Sequence, residues 1–234
     1  MKIEMNKIPK DFSFSNKNDL KKYNKSVKTT SSERINQMKF RILQSLLKPH
    51  IKNAKILDLG CGDAFYLKSL LKKGMKNYTG IDTSKLMIDK AKITYKNKKN
   101  IELIAGDMTD DKISQDNYYN CVLSIYSLMR ISDIDKIFKI VNNKIRKNGI
   151  FIIMTNTYVI KNNANNFIVK IKKNNEVFFN NYARSSEVFI STAYKNGFTM
   201  LCSFNKPFSK DKIIISPNPK EISGYDSILM FKKD

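Results

Sequence analysis

The stretch Ile56-Leu57-Asp58-Leu59-Gly60-Cys61-Gly62-Asp63-Ala64-Phe65 decides how this 234-residue chain is read. An apolar run that ends in Gly-x-Gly and leads into an amphipathic segment predicts a strand, a tight turn and a helix. The two glycines let ligand atoms approach backbone that a side chain would block, near the positive end of the following helix. Phe65 replaces the third glycine of the dinucleotide fingerprint G-x-G-x-x-G, which argues against close packing over a pyrophosphate and against an NAD-dependent dehydrogenase. Asp58, two residues before Gly60, is a poor neighbour for phosphate and a good one for an ammonium group. Gly80-Ile81-Asp82 closes the next apolar run and sets a carboxylate 20 residues after Gly62, where it can take both hydroxyls of a ribose.

Outward from this stretch, short apolar runs alternate with amphipathic ones. Strands are predicted at Lys55–Leu59, Tyr78–Ile81, Ile101–Ala105, Tyr119–Ile125 and Ile150–Thr155, and helices at Phe65–Lys73, Ser84–Lys96 and Asp133–Arg146. Five strands separated by helices imply right-handed crossovers and a mostly parallel sheet covered on both faces. Before them, residues 1–30 read as a polar arm. Ser31-Ser32-Glu33 starts an amphipathic helix carrying Ile35, Met38, Ile42, Leu43, Leu46 and Leu47, stopped at Pro49. Beyond them, Tyr158–Ile171 and Glu176–Tyr182 flank Lys172-Lys173-Asn174-Asn175 as a hairpin or irregular insert. A helix from Ser186 to about Asn196 stops at Gly197. Two further strands, Phe198–Phe204 and Ser227–Phe231, are joined by a loop around Pro207, Pro217 and Pro219. The domain division is therefore 1–53, an arm and helix placed to act as a lid, and 54–234, with an insert at about 156–182.

Lysine plus arginine number 43 against 21 acidic residues, a net charge of +22. Such charge attracts polyanions, so RNA must be weighed as a partner. The excess is spread, +9, +7 and +6 over residues 1–53, 54–156 and 157–234, and only five of the 43 are arginine, the residue best suited to phosphate and guanine. Lysine, asparagine and isoleucine together make up 94 residues, the bias of AT-rich coding. A generally solvated basic surface is the preferred reading over a nucleic-acid groove. No apolar stretch reaches the roughly 20 residues of a membrane span, and Met1-Lys2-Ile3-Glu4 does not open a secretory signal. Cys61, Cys121 and Cys202, odd in number and unpaired in spacing, point to a reducing cytoplasm without disulfide or zinc site.

Taken together, Ile56–Phe65, Gly80–Ser84, Ala105-Gly106-Asp107-Met108, Tyr119–Asp133, Asn148-Gly149-Ile150-Phe151, and Tyr182–Glu187 with Asn196-Gly197-Phe198 resemble the class I S-adenosylmethionine-dependent methyltransferases, small-molecule branch. The resemblance covers roughly residues 50–205. It implies an α/β, Rossmann-like three-layer sandwich whose seven-stranded sheet is mostly parallel with an antiparallel last strand. It also implies that S-adenosylmethionine is the cofactor, S-adenosylhomocysteine the product, and N or O of a small molecule the methyl acceptor, with no metal required.

By the same resemblance, Gly60, Cys61 and Gly62 would floor the methionyl part of the cofactor and Asp58 would orient its ammonium. Asp82 would hold the ribose, with Thr83, Ser84 and Met87 around it and the adenine, while Gly106, Asp107 and Met108 would read the adenine ring. Ser124 and Tyr126 would line the passage to the acceptor. Tyr126, Arg130, Tyr158, Tyr182 and Arg184 are candidates for acceptor positioning, with packing or solvation as the alternative role for each. Arg130 and Arg184 would suit an acidic acceptor.

Two departures bear on chemistry. Leu128-Met129-Arg130-Ile131-Ser132-Asp133 carries no histidine after strand four, and the only histidine, His50, follows Lys48-Pro49. Methyl transfer from an activated sulfonium can proceed by alignment and desolvation alone. Ser124-Ile125-Tyr126-Ser127 lacks the Asn/Asp-Pro-Pro-aromatic signature of base-flipping adenine methylases, and no Pro-Cys pair exists for attack on cytosine. A tRNA or other RNA base methyltransferase is thus the alternative reading, and a fold that binds without catalysis the third.

Overall fold

The computed structural model describes residues 40–160, 168–173, 176–208, 212–215 and 222–234. The predicted arm over residues 1–30, the helix start at Ser31, and Pro217 and Pro219 lie outside the described residues. In chain order the elements are α1 (40–47), β1 (Lys55–Leu59), α2 (Leu67–Lys72), β2 (Asn77–Asp82), α3 (Lys85–Tyr95), β3 (Ile101–Ala105) and β4 (Tyr119–Ile125). They continue with a 3-10 turn at Leu128–Arg130, α4 (Ile134–Lys144), β5 (Ile145–Ile160), β6 (Ile168–Lys173), β7 (Glu176–Tyr182), α5 (Ser186–Lys195), β8 (Phe198–Pro207), β9 (Lys212–Ile215) and β10 (Ile222–Lys233).

Seven strands form one sheet in the order β3-β2-β1-β4-β5-β10-β8. The neighbours from β3 to β5 run parallel, and β10 inserts antiparallel between β5 and β8. The order reverses between β1 and β4, the crevice where open α/β sheets bind ligands at the carboxyl ends of their strands. Because strand residues alternate faces, Ile56, Cys121, Leu123, Ile152 and Met154 pack with Leu43 and Leu47 of α1 and Leu67, Leu70, Ile88 and Ala91 of α2 and α3. Leu57, Val122, Phe151, Ile153, Leu229 and Phe231 pack on the other side with α4 and α5. There Phe138 meets Phe151, Phe198 and Phe231 edge-on, with centroids 5.4, 5.9 and 5.8 Å away, an arrangement aromatic quadrupoles favour.

The elements follow local signals. Asp133 caps α4 by accepting from the Lys136 N–H at 3.0 Å, Ser84 caps α3 through the Met87 N–H, and Gly197 ends α5 at φ +74°. Several elements differ from the sequence expectation, among them β8, which runs to Pro207 rather than Phe204, and β6, which takes in Lys172 and Lys173. Helix α2 begins at Leu67 rather than Phe65, because the turn continues through Ala64 at φ +55° and leaves Phe65 74% exposed. Strand β5 spans Ile145–Ile160 rather than Ile150–Thr155, because β10 pairs along it from Ile150 to Ile160. Strand β10 is correspondingly longer than Ser227–Phe231. The segment expected as a plain loop contains β9, which joins the β6–β7 hairpin in a second, three-stranded antiparallel sheet.

Candidate active site

The carboxyl end of β1 turns through Gly60 at φ +77° and Gly62 at φ +57°, the left-handed region that glycine enters without strain. At Gly60 a Cβ would stand 2.3 Å from Ser127 Cβ and 3.2 Å from Met108 Cε. Gly60 is therefore required twice, by its dihedral and by the close approach of the loop after β4. A Cβ at Gly62 would meet nothing within 4 Å. The loop is thus packed below and open above, the form of a cradle. The Gly60 and Cys61 N–H groups donate to the Ile81 carbonyl at 2.8 and 3.0 Å, tying the turn to the end of β2.

Asp82, at the end of β2, fixes the cradle from the other side. Its Oδ2 accepts from the Gly62 N–H and its Oδ1 from the Ser84 N–H, both at 2.8 Å. Each oxygen keeps a lone pair for a ligand hydroxyl. Asp58 is 3% exposed, and Tyr78 Oη donates to its Oδ2 at 2.7 Å, while its Oδ1 is buried without a hydrogen-bond partner. Burial pushes the Asp58 carboxyl up to about 7, opposed by the Tyr78 hydrogen bond and reinforced by the Asp82 charge. A buried carboxylate with one orphan oxygen is costly unless a cationic donor completes it.

Gly80 makes this contact possible. A Cβ there would lie 2.8 Å from both Cys61 Sγ and Tyr78 Cε1, so its absence lets the Tyr78 ring lie beside the turn. Burial, with the Asp58 and Asp82 charges, holds the Cys61 thiol well above its ordinary range, so it remains a neutral wall rather than a nucleophile.

The other predicted cofactor residues surround this cradle unequally. Thr83 is exposed, and Ser84 and Met87 are buried in the cap and core of α3. The Gly106 N–H donates to the Asp82 carbonyl at 3.0 Å, Asp107 is exposed with Oδ1 accepting from the Thr109 N–H at 2.8 Å, and Met108 is 8% exposed beside Gly60. Ser124 is fully buried and bonds Ser127 Oγ, which donates to the Leu59 carbonyl at 2.7 Å.

Across the crevice, Tyr126 leaves β4 at φ +55°, with its N–H on the Met154 carbonyl at 2.7 Å and its hydroxyl donating to Asp226 Oδ1 at 3.3 Å. Arg184 is 2% exposed, and its Nη2 donates to the Ile131 and Ser132 carbonyls at 2.6 and 2.7 Å. Its guanidinium stacks 4.8 Å from the Tyr182 ring centroid. Burial lowers its pKa to about 10. It therefore holds the turn that carries the half-buried Arg130. Tyr158 is fully buried, with its N–H on the Arg184 carbonyl at 2.8 Å. Among the described residues no group of three or more His, Cys, Asp or Glu side chains is set to hold a metal ion, and no helix is long and apolar enough to cross a membrane.

A family model described as a methyltransferase domain matches residues 50–202, the span from just after α1 into β8. The chain belongs to this methyltransferase-domain family. Among curated relatives, it is 32% identical over 122 residues to the ubiquinone biosynthesis O-methyltransferase of Pelagibacter ubique, covering 51% of this chain and 48% of that one. It is 28% identical over 151 residues to the same-named protein of Rickettsia typhi, covering 60% and 61%. The chain thus spans about half to three-fifths of these relatives' length. Among solved structures, a methyltransferase from Listeria monocytogenes titled as S-adenosylmethionine-dependent superposes with TM-score 0.60 at 20% identity, covering 82% of this chain and 97% of that one. The cyclase SpnF superposes with TM-score 0.63 at 13% identity, covering 83% and 81%. These likenesses confirm the Rossmann-like sheet expected of the sequence.

Sequence reasoning missed Tyr78, Ser127, Asn156 and Asp226. Tyr78 pairs with Ile56, two residues from Asp58 in the β1–β2 register, Ser127 reaches Gly60 from the turn after β4, and Asn156 and Asp226 meet only through the long-range pairing of β5 with β10.

Proposed function

We propose that the protein transfers a methyl group from S-adenosylmethionine to an oxygen or nitrogen of a small-molecule acceptor. The observation that carries this reading is the pair of carboxylates, Asp58 and Asp82, on either side of the Gly60–Gly62 turn. A ligand joining an ammonium group to a ribose matches the orphan Asp58 Oδ1 and the outward lone pairs of Asp82. The open space above Gly62 suits the chain between those two groups.

When bound, S-adenosylmethionine supplies a methyl group already activated on sulfur. The chain's own part is to hold and exclude. Asp58 and the backbone of Gly60 and Gly62 would fix the methionyl end, Asp82 the ribose, and Gly106 to Met108 the adenine. Ser124 and Tyr126 would stand between donor and acceptor, and alignment with removal of water supplies most of the acceleration such a displacement needs.

The fold by itself does not decide the reaction, since a cyclase shares it. The two curated O-methyltransferase relatives support methyl transfer to a small molecule over RNA base methylation. The three thiols, none in a disulfide, support a reducing cytoplasmic setting. The test is transfer of label from methyl-labelled S-adenosylmethionine to a panel of small phenols and amines. Label should move to at least one acceptor with wild type and not with Asp82→Ala. Label on bulk tRNA alone would overturn the small-molecule reading.

A further inference from the structure

An acceptor hydroxyl must lose its proton as it gains a methyl group. His50 stands ahead of β1, at the opposite edge of the sheet from the glycine turn. At the carboxyl edge, β5 overshoots β4: the last β5 residue paired with β4 is Met154, opposite Ile125. Two residues further on, Asn156 faces Asp226 of the returning β10. Asp226 is a 7% exposed carboxylate that accepts from Asn156 Nδ2 at 2.9 Å and from the Tyr126 hydroxyl at 3.3 Å.

Tyr126 reaches it from the first residue after β4. Its φ of +55° is a left-handed conformation that disfavours a residue of this bulk by about 1–2 kcal/mol, and such outliers cluster where function over-determines the backbone. Asn156 is 4% exposed, so its amide and the carboxylate form a fixed pair against the phenol of the half-buried Tyr126. Burial and the neighbouring Asp226 hold the Tyr126 phenol well above its ordinary range, so it remains a hydroxyl and works as a relay.

We infer that Tyr126 and Asp226 together accept the proton of a phenolic hydroxyl as it is methylated, Tyr126 touching the acceptor and Asp226 acting through it. This rests on the reading of the glycine turn as a methyl-donor site. As the acceptor oxygen bonds to the methyl carbon, the carbon–sulfur bond breaks and its electron pair stays on sulfur. The acceptor's proton passes to Tyr126 Oη while the Tyr126 proton passes to Asp226 Oδ1, and Asp226 later releases it to water. Charge balances, since a cationic sulfonium and a carboxylate become a thioether and a carboxylic acid. Asn156 is the positioning residue that holds the carboxylate toward Tyr126.

The experiment compares wild type, Asp226→Asn and Tyr126→Phe on two probes: catechol, which is neutral at pH 7, and 4-nitrocatechol, which is already ionised there. Calorimetry first measures S-adenosylhomocysteine binding, then probe binding to that complex. Both variants should bind the adenosyl ligand within about threefold of wild type, and Asp226→Asn, which keeps the Tyr126 hydroxyl, should also bind catechol within about threefold. Asp226→Asn should lower kcat for catechol about 100-fold or more, the scale of general base catalysis, and should lower it less than tenfold for 4-nitrocatechol, whose ionised oxygen attacks without giving up a proton. Asparagine can still accept from Tyr126, so the fold is kept, and Tyr126→Phe should show the same split. Catechol turnover within threefold of wild type, or an equal loss on both probes, would overturn the relay. Adenosyl-ligand binding without turnover of either probe would overturn it alone. Absence of adenosyl-ligand binding would overturn the donor site as well.

Discussion

The β1–β2 half of the sheet builds its side of the crevice from backbone, and the β5–β10 half builds the opposing side from side chains. On the first, Gly60 and Gly62 adopt left-handed dihedrals, Gly80 leaves room for Tyr78, and Asp82 is held by two N–H groups at 2.8 Å. On the second, Tyr126, Asn156 and Asp226 meet through side-chain hydrogen bonds, and Arg184 braces the turn from below. A cradle of glycine backbone with carboxylates pinned to it suits a ligand that does not change, because the turn that fixes it cannot be altered without moving the chain. A side-chain wall can change its acceptor by substitution while the sheet stays as it is.

The difference predicts where the molecule breaks. The largest effect is expected at Gly60→Ala, where left-handed strain of about 1–2 kcal/mol adds to overpacking of about 1–3 kcal/mol against Ser127 Cβ. Denaturant unfolding should show a loss of about 2–5 kcal/mol, and adenosyl-ligand affinity should fall beyond detection. Next, Arg184→Met leaves the Ile131 and Ser132 carbonyls without their charged donor and should cost about 1.5–3 kcal/mol, while adenosyl-ligand affinity stays within threefold. A collapse of that affinity in Arg184→Met would show that the two walls are one cooperative unit.

A smaller effect comes from Asp58. Its carboxyl sits near 7, raised by burial, and an ammonium ligand prefers the ionised form, so affinity must rise with pH through that value. Between pH 6 and pH 8 the ionised fraction grows about tenfold, and S-adenosylhomocysteine should bind about tenfold more tightly at the upper end. Asp58→Asn should flatten the profile. For the ligand-free protein the sign is opposite: a folded value above the unfolded one stabilises below about pH 4, and that contribution is lost as pH rises through 7. Least of all, Phe65→Ser should change stability by no more than about 0.5 kcal/mol, because Phe65 is 74% exposed.

The two walls were also unequally legible. Asp58, Gly60, Gly62 and Asp82 declare themselves because the turn and its carboxylates are local, fixed by spacing within 25 residues. The parallel half of the sheet followed from alternating apolar runs for the same reason. Asp226 was invisible because it reaches Tyr126 from 100 residues away, through an antiparallel pairing whose register no local pattern specifies. Strand β9 was hidden likewise: Ile213-Ile214-Ile215 has strand character, but its partner β6 lies some 40 residues earlier. Arg184 was legible as a residue of interest and not in its bracing role, which depends on carbonyls that only the folded turn presents.

The most direct test of the cradle is calorimetric titration of the full chain with S-adenosylhomocysteine, beside Asp82→Ala. Saturable one-to-one binding to wild type, weakened at least tenfold in the variant, is the predicted result. No binding to wild type, or equal binding to both proteins, would contradict the assignment of Asp58, Asp82 and the Gly60–Gly62 turn to an adenosyl ligand.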